Sequence, residues 1–441
     1  VPEQTVPSQA SAADSVGLGL LARAVVTGLV AAAAATTYVI VEHDVTALLW
    51  EHLPERLGLS GPPWWWVLLL LVCGAGLAAA ALRLPGGGGH SPLDGFSFDT
   101  GPRVALSVVA AAFAALSFGV VLGPEAPALA IGTATGALVA STRRSDGRGD
   151  PGAERGLLMM AGGMAAFGAV LGNPLALAIF ILEGALVARR TSGMPLALAP
   201  VALALAAGYL LQVGVGSWAG LGEVVLALPT VPAYPTVLAV DVLAAVPLAV
   251  VVAALVHVAF RGAGGIARSV AGRPPVVVMV VAALGMGALA LAAQALVDVP
   301  LDYVLFSGQS ALPDVVTATS AAVVLVAAAA KSGAYLLALG SGFRGGAIFP
   351  AVFIGAALGT LVALVIGATS VTGLVAAGIA AAVAAAIRLP FSAALLATLL
   401  TASAGLAVTS PALVGAVVAL LTVLALDRRL RPRVVAPDAA G

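Results

Sequence analysis

Charge is what this sequence has least of. Only 9% of its 441 residues are Asp, Glu, Lys or Arg, and 61% are hydrophobic. A soluble domain carries about 25% charged residues. A chain this poor in charge cannot cover a globular surface with polar groups, so it reads as a membrane protein. The formal net charge is +0, which argues against nucleic acid as a partner. Cysteine is nearly absent. Cys73 stands alone in an apolar run, which excludes a disulfide framework and a cysteine metal site. Lysine is equally scarce, with Lys331 the single example. The opening VPEQTVPSQASAADS lacks the basic start of a signal peptide. Residues 1–15 are expected to be a polar tail and 428–441 a short basic tail, with no soluble regulatory domain attached.

What is present is apolar sequence in runs of two kinds. Trp64 to Leu82, Val237 to Val258 and Val276 to Leu296 reach membrane-crossing length, which needs about 20 apolar residues. Ala126 to Ala140, Leu157 to Val170, Pro174 to Val187, Pro350 to Ile366 and Phe391 to Leu406 are short and bounded by Gly, Pro or a charge. Short, interrupted segments mark transporters whose half-helices end near the membrane midplane. Abundant Ala and Gly suit close packing between membrane helices. The expected fold is an all-α polytopic membrane protein with broken and re-entrant helices.

Arginines gather in loops: Arg143, Arg144, Arg148 and Arg155, then Arg189 and Arg190, then Arg261, Arg268 and Arg273, then Arg428, Arg429, Arg431 and Arg433. The positive-inside rule places these loops on the cytoplasmic side. Plain solvated loop charge is an equally compatible reading.

An internal repeat organises the chain. GPEAPALAIGTATGALV from Gly123 aligns with GAIFPAVFIGAALGTLV from Gly346. Gly, Pro, Ala, Ile, Gly, Ala, Gly, Leu and Val recur in register. A second pair follows in the same order, GNPLALAIFI around Pro174 and RLPFSAALLA around Pro390. Duplicated broken helices point to a transporter built from two repeats. The layout expected is a first membrane repeat at 16–190, a connecting region with membrane segments at 191–236, and a second repeat at 237–427.

Both motifs place a Gly-rich turn before a helix with Pro in its first turn. Proline fits there because it has no N–H to waste. The free N–H groups and the helix dipole make such a start an anion site, and glycine lets an ion approach the backbone. Two helix starts, one per half, can converge on one dehydrated anion without a lysine. The first copy carries Glu125 where the second has Ile348. A third candidate is PGGGGHSPLDG, Pro85 to Gly95, with Gly88, Gly89, His90 and Ser91.

These stretches resemble the CLC family of chloride channels and chloride/proton antiporters. VVLGPEAPALAIGTATGALV is similar to its GREGP helix. GSGFRGGAIFPAVFIGAALG is similar to its GSGxxGGIFAP segment. GNPLALAIFILEG looks like the segment ending in two glutamates, and IRLPFSAALLATLL like the R-x-P-L-T helix. PGGGGHSPLDG lies where the family has GSGIP. The chain reads as a divergent prokaryotic member without CBS domains. The resemblance implies two inverted repeats, a homodimer with one small-anion pathway per subunit, and Glu125 as the gating glutamate. It implies anion contacts from the backbone of Gly346, Ala347, Ile348 and Phe349, with Gly88 and Gly89 from the other loop.

Departures from the family pattern matter. Pro124 stands where the family has a basic residue, and Arg344 is unusual in the second motif. Arg344 is expected to supply the missing positive charge near the gate. The serine position of GSGIP is Gly89, leaving Ser91 as the nearest hydroxyl and His90 as a pH-sensitive neighbour or a plain loop residue. No tyrosine follows Tyr335, so the family's inner tyrosine has no counterpart. The double acid reads Glu183-Gly184, so the internal proton acceptor is replaced. Glu183 and His90 remain as candidates for a proton path, Glu183 being equally a helix-end acid beside Arg189 and Arg190.

The expected function is transport of small inorganic anions, chloride foremost, as a channel or weakly coupled transporter. Proton-coupled chloride or fluoride antiport is the alternative, and a carrier of a larger organic anion is the rival from another class. No enzymatic activity, metal or cofactor is expected, only the anion as transported ligand. The lipid bilayer of a prokaryotic plasma membrane is the expected setting. His43, Asp44 and His52 have metal-ligand chemistry, but their spacing shares no helix face and they are expected in a hydrated loop.

Overall fold

The computed structural model describes residues 17–142, 151–187, 194–219, 228 and 231–430. The tail 1–15 and Arg143, Arg144, Arg148, Arg189, Arg190, Arg431 and Arg433 lie outside the described residues. The described chain is helical, and its one β feature is an isolated antiparallel bridge between Gly123 and Gly346. Among the described residues, eight helices are long and apolar enough to cross a membrane. The protein is multi-pass.

The first half contains α1 (Leu18–Ala47), α2 (Trp64–Ala81), α3 (Pro102–Ser117), α4 (Glu125–Ser141), α5 (Pro151–Leu171), α6 (Pro174–Val187) and α7 (Met194–Ala219). The second contains α8 (Ala239–Ser269), α9 (Pro275–Val297), the short α10 (Leu301–Val304) and α11 (Leu312–Thr317), then α12 (Ala321–Gly340), α13 (Ile348–Ile366), α14 (Thr372–Ile387), α15 (Pro390–Leu400) and α16 (Thr409–Leu430). Proline opens α3, α5, α6, α9 and α15, where its missing N–H breaks no helical hydrogen bond. Where a loop was expected around His43, Asp44 and His52, the helix continues. A π-helical turn, Leu48–His52, joins α1 to Leu53–Arg56, and the three side chains are exposed along it. Length decides this: the hydrophobic pattern carries through Trp50, which is buried and hydrogen-bonds the Ser117 carbonyl.

Packing repeats between the halves. In the first, α5 packs on α1, α4 and α7; in the second, α14 packs on α8, α13 and α16. Likewise α3 packs on α2 and α4, as α12 packs on α9 and α13. The main helix pairs that cross between halves join equivalent elements, α2 with α9 and α6 with α15. The Gly123–Gly346 bridge does the same for the starts of α4 and α13. A pseudo-twofold therefore runs through that bridge. α7, placed by sequence in the connecting region, packs on α1 and α5 as α16 packs on α8 and α14. On this packing we propose that the first repeat runs through α7 rather than ending at residue 190.

The glycines shared by the two sequence copies make equivalent contacts. Gly132 on α4 lies backbone to backbone against Gly162 on α5, and Gly136 against Leu158. Gly355 on α13 meets Gly378 on α14, and Gly359 meets Leu374. A Cβ at any of the four would strike the facing main chain. With lipid no less apolar than the helices themselves, backbone approach of this kind is what drives membrane helices together.

Candidate functional site

Glu125 is the first residue of α4 and is fully buried. Its Oε1 accepts hydrogen bonds from the backbone N–H groups of Ile348 and Phe349, both at 2.9 Å. Those are the first two residues of α13, whose leading N–H groups have no partner within the helix. The carboxylate of one repeat thus sits on the helix start of the other. The free amides and the positive end of the dipole offset part of the cost of burying an acid there.

The backbone around this contact is tightly fixed. Gly123 N–H donates to the Gly346 carbonyl at 2.8 Å and Gly346 N–H returns the bond at 2.6 Å. The second carboxylate oxygen, Oε2, is buried without a hydrogen-bond partner and lies against the α-carbons of Gly123 and Gly346. A side chain on either glycine would overlap it. Behind the start of α13, Tyr335 Oη donates to the Ala347 carbonyl at 2.7 Å. Tyr335 is fully buried on α12 and its ring packs edge-on against Phe260 of α8.

A cavity of about 460 Å³ leads to this point. Its lining includes His90, Ser91, Ser97 and Thr100 from the loop before α3, Ala126 and Leu129 from α4, and Gly345, Gly346 and Ala347 at its inner end. Phe260 of α8 and Arg388, which ends α14, border it on another side. The cavity is a vestibule that reaches Ala126, Gly346 and Ala347, the chain neighbours of Glu125 and Ile348.

The family model described as "Voltage gated chloride channel" matches residues 91–424. The chain belongs to that family. Its members are anion channels and transporters, not enzymes. A solved structure of a slow cyanobacterial Cl⁻/H⁺ antiporter aligns with a TM-score of 0.75 at 18% identity, covering 93% of this chain and 96% of that one. A CLC-type fluoride/proton antiporter aligns with a TM-score of 0.68 at 18% identity, covering 91% and 94%. A eukaryotic CLC transporter aligns with a TM-score of 0.69 at 17% identity, covering 92% and 72%. At such identities the likeness is one of fold. No curated protein matches the sequence.

Within this CLC fold the other expected site residues take different places. Ile348 and Phe349 offer their amides, as the aligned motif implies, but to Glu125. The Gly346 amide is not available to an ion, because it donates to Gly123. Gly88 N–H donates to the Ser107 hydroxyl at 3.0 Å and Gly89 N–H to the Gly86 carbonyl at 3.1 Å. Both glycines have left-handed backbone, φ 80° and 63°. Gly88 must lack a side chain because its α-carbon packs on the Arg344 guanidinium and Leu82. Arg344 therefore lies under the glycine loop. Asp94 faces it there, and among the described residues no ion pair joins it to Glu125. Ser91 caps the turn Pro92–Asp94 by accepting from Leu93 N–H, and Asp94 Oδ2 accepts from Ser91 N–H. His90 is exposed on the vestibule wall.

Glu183 is nearly buried on α6 and reaches the start of α15. Its Oε1 accepts from Phe391 N–H at 2.9 Å, and its Oε2 from Ser392 N–H at 2.8 Å and the Ser392 hydroxyl at 2.6 Å. The chain uses one device twice: a carboxylate from the first half caps a helix of the second. Sequence reading missed Ser392, Phe391 and Tyr335. A serine two residues past Pro390, in the first turn of α15, was the available signal for the first of these.

Proposed function

We propose that the protein conducts small inorganic anions, chloride foremost, along a path that crosses the α13 amides, with Glu125 as the gate. The observation that carries this is the pair of hydrogen bonds from Ile348 and Phe349 to one carboxylate oxygen. Groups arranged to hold a carboxylate without a cation are suited to hold a halide in its place. Ionised Glu125 is then a tethered competitor for the anion. Protonation removes its charge and its hold on the amides, and the anion enters.

The engagement of Glu183 by three donors supports weak or absent proton coupling by that residue, since it acts as the cap of α15. Proton-coupled antiport of chloride or fluoride is the second reading, supported by two of the structural neighbours, a Cl⁻/H⁺ and a fluoride/proton antiporter. The exposed apolar face of α6 and α15, including Leu182, Leu186 and Phe391, fits lipid or a second copy, and a homodimer in a prokaryotic plasma membrane is proposed. Arg268, Arg273, Arg388, Arg428 and Arg429 mark the cytoplasmic face by the positive-inside rule. Arg344 is proposed to act on the vestibule side, through the glycine loop.

The test is flux from proteoliposomes under a chloride or fluoride gradient, with protons recorded in parallel. Anion flux without proton movement supports a channel. Uphill proton movement establishes antiport. Absence of both anions from the flux removes the proposal.

A further inference from the structure

Among the described residues lining the cavity, Arg388 alone is an Asp, Glu, Lys or Arg. It ends α14 in a left-handed conformation, φ 60°, with its side chain 53% exposed. Its guanidinium Nη2 pairs with Asp427 Oδ2 of α16 at 2.8 Å. The other oxygen, Asp427 Oδ1, lies 3.9 Å from Nε2 of His257 on α8. That Nε2 is buried and has no hydrogen-bond partner. Phe260 follows His257 by one turn of α8, lines the same vestibule, and touches Tyr335, which holds the Ala347 carbonyl. Arg388, Phe260 and Ala347 thus share the vestibule wall, with Asp427 and His257 in line behind Arg388.

We propose that Arg388 is an anion-capture site at the inner mouth of the pathway, and that Asp427, shared with His257, sets its strength. The proposal rests on the anion-transport reading. A half-exposed cation in a low-dielectric funnel raises the local anion concentration. Asp427 competes with the incoming anion for the guanidinium. A proton on His257 gives Asp427 a second cation and loosens its claim on Arg388, so internal acid strengthens capture. The groups facing His257 are Asp427 from α16, Arg388 from the end of α14 and Arg261 on its own helix. α12 contributes Tyr335 through Phe260, and α13 has no titratable residue.

Chloride titration of the detergent-purified protein by calorimetry tests this in a Glu125→Gln background, which removes the tethered competitor's own titration. Arg388→Gln is expected to weaken chloride by about two- to fivefold. Asp427→Asn is expected to tighten it by a similar factor at neutral pH, a gain that a folding defect cannot mimic. Mild acid is expected to tighten chloride in the parent and not in His257→Gln. Unchanged affinity in Arg388→Gln and Asp427→Asn overturns the capture site. Weakening by both shows a merely structural ion pair and overturns it too. A parent that neither binds nor passes chloride or fluoride overturns the transport reading, and the capture site with it.

Discussion

A carboxylate and two glycines define the site at the scale of single residues. Glu125 Oε2 occupies the space that a side chain on Gly346 would need. Gly346→Ala is therefore expected to push the carboxylate off the Ile348 and Phe349 amides while leaving α13 in place, because Gly346 has no left-handed backbone to lose. Its anion flux should be raised and insensitive to pH. Glu183 offers the contrast. Glu183→Ala leaves three donors at the start of α15 without a partner, and is expected to cost about 1–3 kcal/mol. The readout is a lower midpoint of thermal unfolding in detergent, with Glu183→Gln milder. Glu125 was legible in the sequence because an acid between two prolines in an apolar run has few uses. The Ile348 and Phe349 amides were singled out as well, but as contacts for the ion, whereas they are held by Glu125. What stayed hidden was that the donors implied for the ion are held by the chain itself. Hydrogen-bond occupancy depends on which backbones meet, and Gly123 with Gly346, or Gly88 with Ser107, meet only in three dimensions.

Helices and turns explain why the repeat survives in sequence at all. Gly132, Gly136, Gly355 and Gly359 recur because each lets a helix backbone touch its neighbour. Gly355→Leu is expected to separate α13 from α14 and destabilise the fold by about 1–3 kcal/mol or more. Gly132→Leu should do the same to α4 and α5. Size-exclusion profile and thermal midpoint check both. Gly184, whose added Cβ would meet nothing within 4 Å, is the control, with little change on Gly184→Ala. Element boundaries were less legible where polar residues interrupt a helix. The stretch from Glu42 to His52 looks like a loop by composition, yet α1 continues through it because Trp50 is held inside. Conversely, the run Phe391 to Leu406 looks like one segment and is a short α15 followed by two 3₁₀ turns. Apolar composition does not record where Thr401 and Gly405 end a helix.

Seen whole, the molecule is two copies of one packing scheme joined at their functional ends. The α6–α15 pair and the α2–α9 pair hold the halves together, and the site forms at the bridge on the axis. A consequence is that the gate needs both halves: the acid comes from one and the amides from the other. The vestibule then supplies the approach, reaching Ala126, Gly346 and Ala347 beside the Glu125 contact. The central claim is that the Glu125 carboxylate holds the anion's place on the Ile348 and Phe349 amides. Chloride efflux from proteoliposomes, compared between wild type and Glu125→Gln across a range of pH, tests it most directly. The account predicts that wild-type flux rises as pH falls, while Glu125→Gln passes chloride at every pH with that dependence lost. A Glu125→Gln protein whose chloride flux keeps the wild-type size and pH dependence would contradict it.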